Sequence, residues 1–171
     1  MRINAVLGYP ILEALGVVTF TRDEFLAGEA AEPGGQGVRM YMRGLTPAIE
    51  CEVEGRPLLF TFDTGASSTD LSVRYYELFH AQADSWKTQI VESAGAGGSS
   101  KQEVYIQPRL VIKTGTSTIT LQDVSIAPAR RNSGLDILFG NLGQDFVDSF
   151  ESVSLNFSTR TFSFGAPRKI R

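Results

Sequence analysis

Short alternations of apolar and polar residues run along most of the chain and predict a series of β-strands. The segments that carry this pattern are VRMYMRG (38–44), PAIECEVEG (47–55), RPLLFTFD (56–63), SWKTQIVESAGAGGSSKQEVYIQP (85–108) and RLVIKTGTSTITLQDVSIAP (109–128). Glu54-Gly55 predicts a hairpin turn between the second and third segments, and the fourth predicts two strands around a tip of small residues. Many short strands with frequent turn signals predict an all-β, barrel-like domain.

Few segments have a helical pattern. A helix is expected in YPILEALG (9–16), with Gly16 as its stop, at about residues 72–82, and in LGQDFVDSF (142–150). The last of these follows a predicted buried strand, LDILFG (135–140), and precedes a hairpin, VSLNFSTRTFSFG (153–165). Residues 129–134 predict a polar loop.

The two ends of the chain share one pattern. Leu7-Gly8, an apolar helix and a hairpin ending at Gly28 mirror Leu142-Gly143, an apolar helix and a hairpin ending at Gly165. A chance helix–hairpin pair is the alternative. If the repeat is real, the chain is the C-terminal part of a longer protein. Its parts are then the end of an upstream lobe (1–28), a Pro-Gly linker (29–37), a second lobe (38–165) and a tail (166–171).

Composition and charge exclude several classes of protein. The 171 residues suit one domain, and 42% hydrophobic with 20% charged residues is typical of a globular protein. The net charge of −3 gives no reason to expect nucleic acid as a partner. No run of about 18 apolar residues predicts a membrane span. The N-terminus has no signal-peptide pattern, so the compartment is undetermined, although a signal upstream in a longer parent would direct export.

Cysteine and histidine occur only once each in the chain. Cys51 is the only cysteine and lies in an alternating run, which favours a packed strand thiol and excludes an intrachain disulfide. His80, the only histidine, lies in a short amphipathic helix, which favours a helix-face role over catalysis. No metal or organic cofactor is implied.

One carboxylate has a distinctive setting, in LLFTFDTGASSTDLS (58–72). Asp63 ends an apolar strand, Thr64 has a hydroxyl that can lock the loop, and Gly65 permits a sharp turn. The small residues Ala66 and Ser67 leave space beside the acid. A carboxylate in apolar surroundings needs hydrogen bonds or a proton, and two such groups that share one proton can activate water.

The stretch LLFTFDTGAS resembles the catalytic segment of retropepsin-like aspartic proteases. SAGAGG (93–98) resembles the glycine-rich flap of this family, and DILFGNLGQDFVDSF (136–150) resembles the segment and helix that brace its active-site loop. AVLGYPILEALG (5–16) resembles the same brace, and VSLNFSTRTFSFG the closing hairpin. The chain is thus similar to bacterial aspartyl proteases of retropepsin type, including tandem-lobe ones.

This resemblance implies a closed β-barrel lobe with a flap hairpin and one or two short helices. It implies an aspartic endopeptidase in which Asp63 is catalytic, Thr64 joins two active-site loops and Gly65 permits the turn. It places the peptide or protein substrate against Ala66, Ser67 and the flap residues Ser93, Ala94, Gly95, Ala96, Gly97 and Gly98. Either Gly140 or Gly143 fits the brace glycine.

The sequence contains one Asp-Thr-Gly, whereas a dyad needs two carboxylates. The second would come from a homodimer or from a missing upstream lobe. Alternative hypotheses are a non-catalytic retropepsin-fold module for peptide binding or dimerisation, and a β-barrel ligand binder in which Asp63 only ends a strand.

SAGAGG is also compatible with a plain flexible hairpin tip. LVIKTGTS repeats the strand-Thr-Gly pattern with Lys113 in place of the acid and predicts an ordinary turn. Asp145, near a helix start, fits a helix-dipole position.

Overall fold

The computed structural model of the chain describes residues 7–28, 37–95, 98–127 and 138–168. The helices within these ranges are α1 (Tyr9–Ala14), α2 (Val73–Phe79), a 3-10 helix (His80–Ser85) and α3 (Gln144–Asp148). The strands are β1 (Val17–Phe20), β2 (Phe25–Ala27), β3 (Val38–Arg43), β4 (Thr46–Val53), β5 (Arg56–Phe62), β6 (Asp70–Leu71), β7 (Lys87–Gly95), β8 (Gly98–Thr114), β9 (Ser117–Ile126), β10 (Gly140–Leu142), β11 (Val153–Asn156) and β12 (Thr161–Phe164).

Six of these strands close into a barrel. Their order is β4-β5-β10-β6-β9-β8, and β8 returns to β4 where Lys113 pairs with Glu52. The side chains of these two residues form an exposed ion pair of 3.4 Å at the closure. The predicted all-β closed barrel is therefore confirmed.

Tight turns at the predicted positions join the neighbouring strands. Glu54 and Gly55 both have positive φ, 50° and 75°, as a two-residue type I′ hairpin turn requires. Lys113 lies just before the β8–β9 turn, in which Thr114 pairs with Ser117. The pattern LVIKTGTS is therefore an ordinary hairpin, as predicted.

Strand β8 is longer than the sequence predicted. The expected break at Pro108 is absent, and one strand of 17 residues runs through this position. Its register with β9 passes from Gln107↔Val124 to Arg109↔Gln122, and Asp123 between them has a φ of 50°. Because proline has no N–H to donate, this local distortion of the partner strand lets β8 continue.

The predicted strand 135–140 is displaced toward the C-terminus. Residues 135–137 lie outside the described residues, and Leu138 and Phe139 are in a bend before β10. The carbonyl of Leu138 accepts a hydrogen bond of 2.7 Å from the Ser72 hydroxyl rather than from a neighbouring strand. Strand β10 then inserts between β5, to which it is parallel, and β6.

Aromatic side chains tie helix α3 to the barrel. Phe146 is fully buried and packs edge-on against Phe62, the last residue of β5, with 6.5 Å between ring centroids. Phe146 also contacts Phe150 and Phe164. Burial of each such ring is worth about 1.5–3 kcal/mol. This packing fixes α3 beneath the strand that ends at Asp63.

A second aromatic cluster lies between α2 and the base of the β7–β8 hairpin. Its members are Tyr75, Tyr76, Phe79, Trp86 and Tyr105, and the rings of Tyr76 and Tyr105 stack at 5.1 Å. The predicted helix at 72–82 is present as α2 followed by the 3-10 helix. Trp86, the only tryptophan, is buried here and offers a fluorescence probe of folding.

The N-terminal unit, residues 7–28 with α1, β1 and β2, joins the rest of the chain through a symmetric strand pair. β1 is antiparallel to β11, with Thr19 opposite Ser154, Val18 opposite Leu155 and Phe20 opposite Val153. The hydroxyls of Thr19 and Ser154 are 2.7 Å apart and buried. A shift of 135 residues maps Val18, Thr19 and Phe20 onto Val153, Ser154 and Leu155. The pair therefore has a local two-fold axis between Thr19 and Ser154.

Candidate active site

Asp63 follows β5 directly, and backbone hydrogen bonds fix its position. Its N–H donates to the carbonyl of Leu142 in β10 at 3.0 Å, and its carbonyl accepts from Ala66 at 3.1 Å. The side chain is exposed, and its Oδ1 accepts a 2.8 Å hydrogen bond from the Gly65 N–H. A barrel strand thus ends in a carboxylate that faces away from the core.

Gly65 permits this turn by close backbone approach, one of the two properties that distinguish glycine at a turn. Its φ is not in the left-handed region. A Cβ at this position would lie 3.1 Å from Oδ1 of Asp63, so glycine lets the N–H approach the carboxylate. The turn is therefore built on close contact rather than on a positive φ.

The loop from Asp63 to Ser68, here called the Asp63 loop, rests on the residues that precede α3. The Gln144 N–H donates to the Ala66 carbonyl at 2.8 Å. A Cβ on Gly143 would lie 2.5 Å from the carbonyl of Ser68, and one on Gly140 would lie 2.4 Å from that of Asp70. Both candidate brace glycines are thus required, and Gly143 is the one that contacts the loop.

Asp145 makes a side-chain clamp on the end of this loop. Its Oδ1 accepts hydrogen bonds from the Thr69 N–H at 2.8 Å, from the Thr69 hydroxyl at 2.7 Å and from the Phe146 N–H at 2.9 Å. The Thr69 hydroxyl in turn accepts from the Gly143 N–H at 3.1 Å. Asp145 therefore links α3 to the Asp63 loop, beyond the helix-dipole role that its position predicted.

The sequence did not identify Thr69 as a functional residue. Thr69 lies six residues after Asp63 and is almost fully buried. The only signal was a polar residue two positions before the apolar Leu71, which is common at strand starts. Its pairing with Asp145, 76 residues away, depends on the tertiary fold.

Of the other predicted site residues, some lie in the Asp63 loop and some in the β7–β8 hairpin. Thr64 and Ala66 are half-buried and Ser67 is exposed. The backbone of Ser93, Ala94 and Gly95 belongs to β7 and pairs with β8, ending with Gly95 opposite Gly98. Ala96 and Gly97 lie outside the described residues. The segment 93–98 is therefore a hairpin end, and its role toward substrate stays a prediction.

A cavity of about 230 Å³ adjoins the Asp63 loop. The loop contributes Asp63 and Thr64, and the N-terminal unit contributes Leu7, Tyr9, Leu12 and Phe20. Asp63 is the only acidic residue among those that line it in the described part of the chain. The arrangement supplies one carboxylate beside apolar space that faces the N-terminal unit.

Cys51 and His80 lie outside this cavity. Cys51 is buried in β4, and burial raises the pKa of its thiol from 9.0 to about 12, which keeps it protonated and unreactive. His80 is exposed at the end of α2, with its Nδ1 2.8 Å from the Glu77 carbonyl oxygen. The packed thiol and the helix-face histidine are as predicted.

The described residues contain no group of three or more histidine, cysteine, aspartate or glutamate side chains that could hold a metal ion. None of their helices has the length and apolar character needed to cross a bilayer.

Comparison with known proteins identifies a family. The profile of the aspartyl protease family matches residues 49–146, more than half of the chain. A retropepsin-like aspartic protease from Rickettsia conorii superposes with a TM-score of 0.55 at 13% identity, covering 77% of this chain and 89% of that one. EIAV protease complexed with the inhibitor HBY-793 aligns with a TM-score of 0.42 at 18% identity, covering 63% and 89%. A comparison with curated proteins gives no match.

Proposed function

Because the chain belongs to the retropepsin-like aspartyl protease family, we propose that it is an aspartic endopeptidase in which Asp63 is one of two catalytic carboxylates. The second carboxylate comes from a second lobe or a second subunit. The observation that supports this proposal most is the setting of Asp63. A barrel strand, the Asp63 loop and the α3 brace hold one exposed carboxylate at the edge of a cavity.

The proposed reaction is the direct attack of water on a peptide carbonyl. Two carboxylates that share one proton hold the water between them. The ionised carboxylate takes a proton from the water as its oxygen bonds to the carbonyl carbon, and the protonated one donates to the carbonyl oxygen. The resulting gem-diol collapses when the C–N bond breaks: the carboxyl group that is now protonated donates its proton to the nitrogen, and the other carboxylate takes a proton from a gem-diol hydroxyl. Atoms balance without a cofactor.

The Gly65 N–H has a defined part in this mechanism. It donates to Oδ1 of Asp63 at 2.8 Å, which orients the carboxylate. The other oxygen, Oδ2, is then left to contact water. Thr64 is proposed to join the Asp63 loop to the equivalent loop of the partner through its hydroxyl.

The substrate is proposed to be an extended peptide. Ala66 and Ser67 have small side chains that leave room beside Asp63, and the β7–β8 hairpin offers backbone groups for pairing with a peptide strand. Ser93, Ala94, Gly95, Ala96, Gly97 and Gly98 are the proposed flap contacts.

A second candidate is a non-catalytic peptide-binding or dimerisation module. It is favoured by the single acidic residue that lines the cavity in the described chain. One carboxylate alone cannot both accept a proton from water and donate one to the carbonyl at the same moment.

The proposal is tested by measuring peptide cleavage with the natural form of the protein, purified from the cells that produce it. We expect Asp63→Asn to lower kcat/KM by about 10²–10⁴-fold, the usual contribution of a general acid–base group. Asp148→Asn is the matched control, because Asp148 is exposed on α3 and its Oδ1 accepts only from the Gln144 side chain. Both variants should keep the wild-type Trp86 fluorescence. Undiminished cleavage by Asp63→Asn would refute the catalytic role, and absence of cleavage by the wild type would favour the module.

A further inference from the structure

The outer face of the N-terminal unit is apolar and uncovered in the described part of the chain. Leu7 is 53% exposed, Ile11 50% and Leu15 39%, with spacings of four residues that place them along one side of α1. In β2 of the same unit, Phe25 and Leu26 point to opposite sides of the strand and are 40% and 41% exposed. Leu7, Ile11 and Leu15 are here called the N-terminal face. Helix α1 has no buried residue.

The same chain contains a covered copy of this face. The 135-residue shift that relates β1 to β11 maps Leu7, Ile11 and Leu15 onto Leu142, Phe146 and Phe150. These equivalents are 0%, 0% and 1% exposed, because the barrel covers them. The apolar residues of α1 therefore occupy positions that are core positions in a complete lobe.

Gly8 supports the same comparison independently. Its equivalent, Gly143, must lack a Cβ because the Asp63 loop lies 2.5 Å from where the Cβ would be. A Cβ on Gly8 would meet only Pro10, at an ordinary 3.7 Å. A packed Asp-bearing loop would thus require glycine at this position, and Gly8 is a glycine, but no loop of the described residues packs against it.

The edge of β2 is the third observation. Among the described strands β2 ends the sheet β2-β1-β11-β12-β3. Its equivalent β12 uses the corresponding edge to pair with β3, the first strand of the barrel lobe. The free edge of β2 is therefore continuous with the established sheet and lies where the first strand of another lobe would pair.

A second copy of this chain does not fit this position. Its barrel core is already filled by its own α3 and β11–β12, so it has no space for α1. The edge of β11 that a symmetric partner would need is already paired with β1. The occupant must be a lobe without its own brace helix and closing hairpin.

We propose that the N-terminal face docks a second retropepsin-like lobe that lacks these elements, and that this chain supplies them. Residues 1–28 then form the end of that lobe, 29–37 the linker, 38–165 the second lobe and 166–171 a tail. Only one consequence of this docking rests on the proposed function. The docked lobe places its own acid loop on Leu7 and Gly8, across the cavity from Asp63, and so completes the dyad.

Sedimentation and hydrogen exchange of the chain by itself give the first test. We expect α1 and β2 amides to exchange quickly at all protein concentrations. A concentration-dependent dimer in which these amides become protected, and which Ile11→Asp dissociates, would make a second copy the occupant and overturn the proposal.

A fused chain gives the second test. Residues 37–141 of this chain, a lobe without α3 and β11–β12, are joined directly before Leu7 of the full chain. We expect the amides of Phe25–Ala27 to exchange at least about tenfold more slowly than in the unfused chain. Ile11→Asp should abolish this protection, whereas Val111→Asp in the barrel of the full chain, at a 39% exposed apolar residue of β8 away from the cavity, should not.

Unchanged exchange at β2 in the fused chain would contradict the proposal. If the added lobe does not fold, the first test decides alone. Both tests measure exchange rather than cleavage and can be repeated with Asp63→Asn. Loss of the proposed function and loss of the proposed docking are therefore distinguishable.

Discussion

At the scale of single residues, Asp145 helps to hold the end of the Asp63 loop. Replacement of Asp145 by Ala removes three hydrogen bonds and leaves the buried Thr69 hydroxyl without its acceptor. We expect a loss of about 2–3 kcal/mol in the free energy of unfolding, since hydrogen bonds to charged groups are worth about 1.5–3 kcal/mol and are not additive. Denaturant unfolding followed by Trp86 fluorescence measures this loss.

Two variants distinguish the loss of the Asp145 hydrogen bonds from the loss of a negative charge on α3. Asp145→Asn keeps an acceptor oxygen and should retain most of the stability. Asp148→Ala removes a carboxylate from the same helix that contacts only Gln144, and should change stability by less than about 0.5 kcal/mol. Equal losses for Asp145→Ala and Asp148→Ala would contradict the role of the clamp.

Cys51 provides a residue-scale prediction about pH. The folded state holds its thiol proton up to about pH 12, whereas the unfolded chain releases it near pH 9. The folded state therefore binds more protons between these values, and stability falls with rising pH by up to about 1.4 kcal/mol per unit. Below pH 9 this contribution is complete.

Urea unfolding at pH 8 to 11 measures this slope. We expect Cys51→Ala to be less stable at pH 8, because it leaves a small cavity, but to lose less stability as the pH rises. An equally steep alkaline decline in the variant would show that Cys51 is not its source.

Much of the site at this scale could be predicted from the sequence, because Asp-Thr-Gly after an apolar strand is a local pattern. Asp145 could be seen only as an acid in the first turn of a helix. Its contact with Thr69 is made by folding, and no periodicity in the sequence records it.

At the scale of elements, the approach of α3 to the Asp63 loop depends on Gly143. A Cβ there would lie 2.5 Å from the Ser68 backbone, so Gly143→Ala must displace either the loop or the helix. We expect a loss of at least about 1–3 kcal/mol in stability and a disproportionate fall in kcat, because the loop carries Asp63.

Gly8→Ala is the matched control for this element. Gly8 is equivalent to Gly143, but its hypothetical Cβ meets only Pro10 at 3.7 Å in this chain. We expect a change of less than about 0.5 kcal/mol in the isolated chain. Equal sensitivity of the two glycines would contradict the different surroundings described for them.

Element positions were predictable where a local pattern sets them. The β4–β5 turn follows from Glu54-Gly55, and the strands of the barrel follow from alternation. The continuation of β8 through Pro108 and the late start of β10 were not predictable. Both depend on neighbours distant in sequence, the positive φ of Asp123 and the Ser72 hydroxyl.

At the scale of the whole molecule, the chain combines one barrel with an additional helix and hairpin. The sequence repeat predicted two equivalent ends, and the β1–β11 register relates them by a local two-fold axis. The sequence could not show which apolar residues are left uncovered. The exposure of these residues depends on whether a barrel packs against the helix, as it does against α3 but not against α1 among the described residues.

The proposed function requires that Asp63 acts on a peptide together with a second carboxylate. The most direct measurement is a crystal structure of the protein, as its cell produces it, with a peptide that carries a hydroxyl in place of the scissile carbonyl. We predict that this hydroxyl lies within about 2.6–3.2 Å of both Asp63 and a carboxylate from another lobe. A peptide bound with its hydroxyl out of reach of Asp63, or in contact with Asp63 alone, would contradict the account.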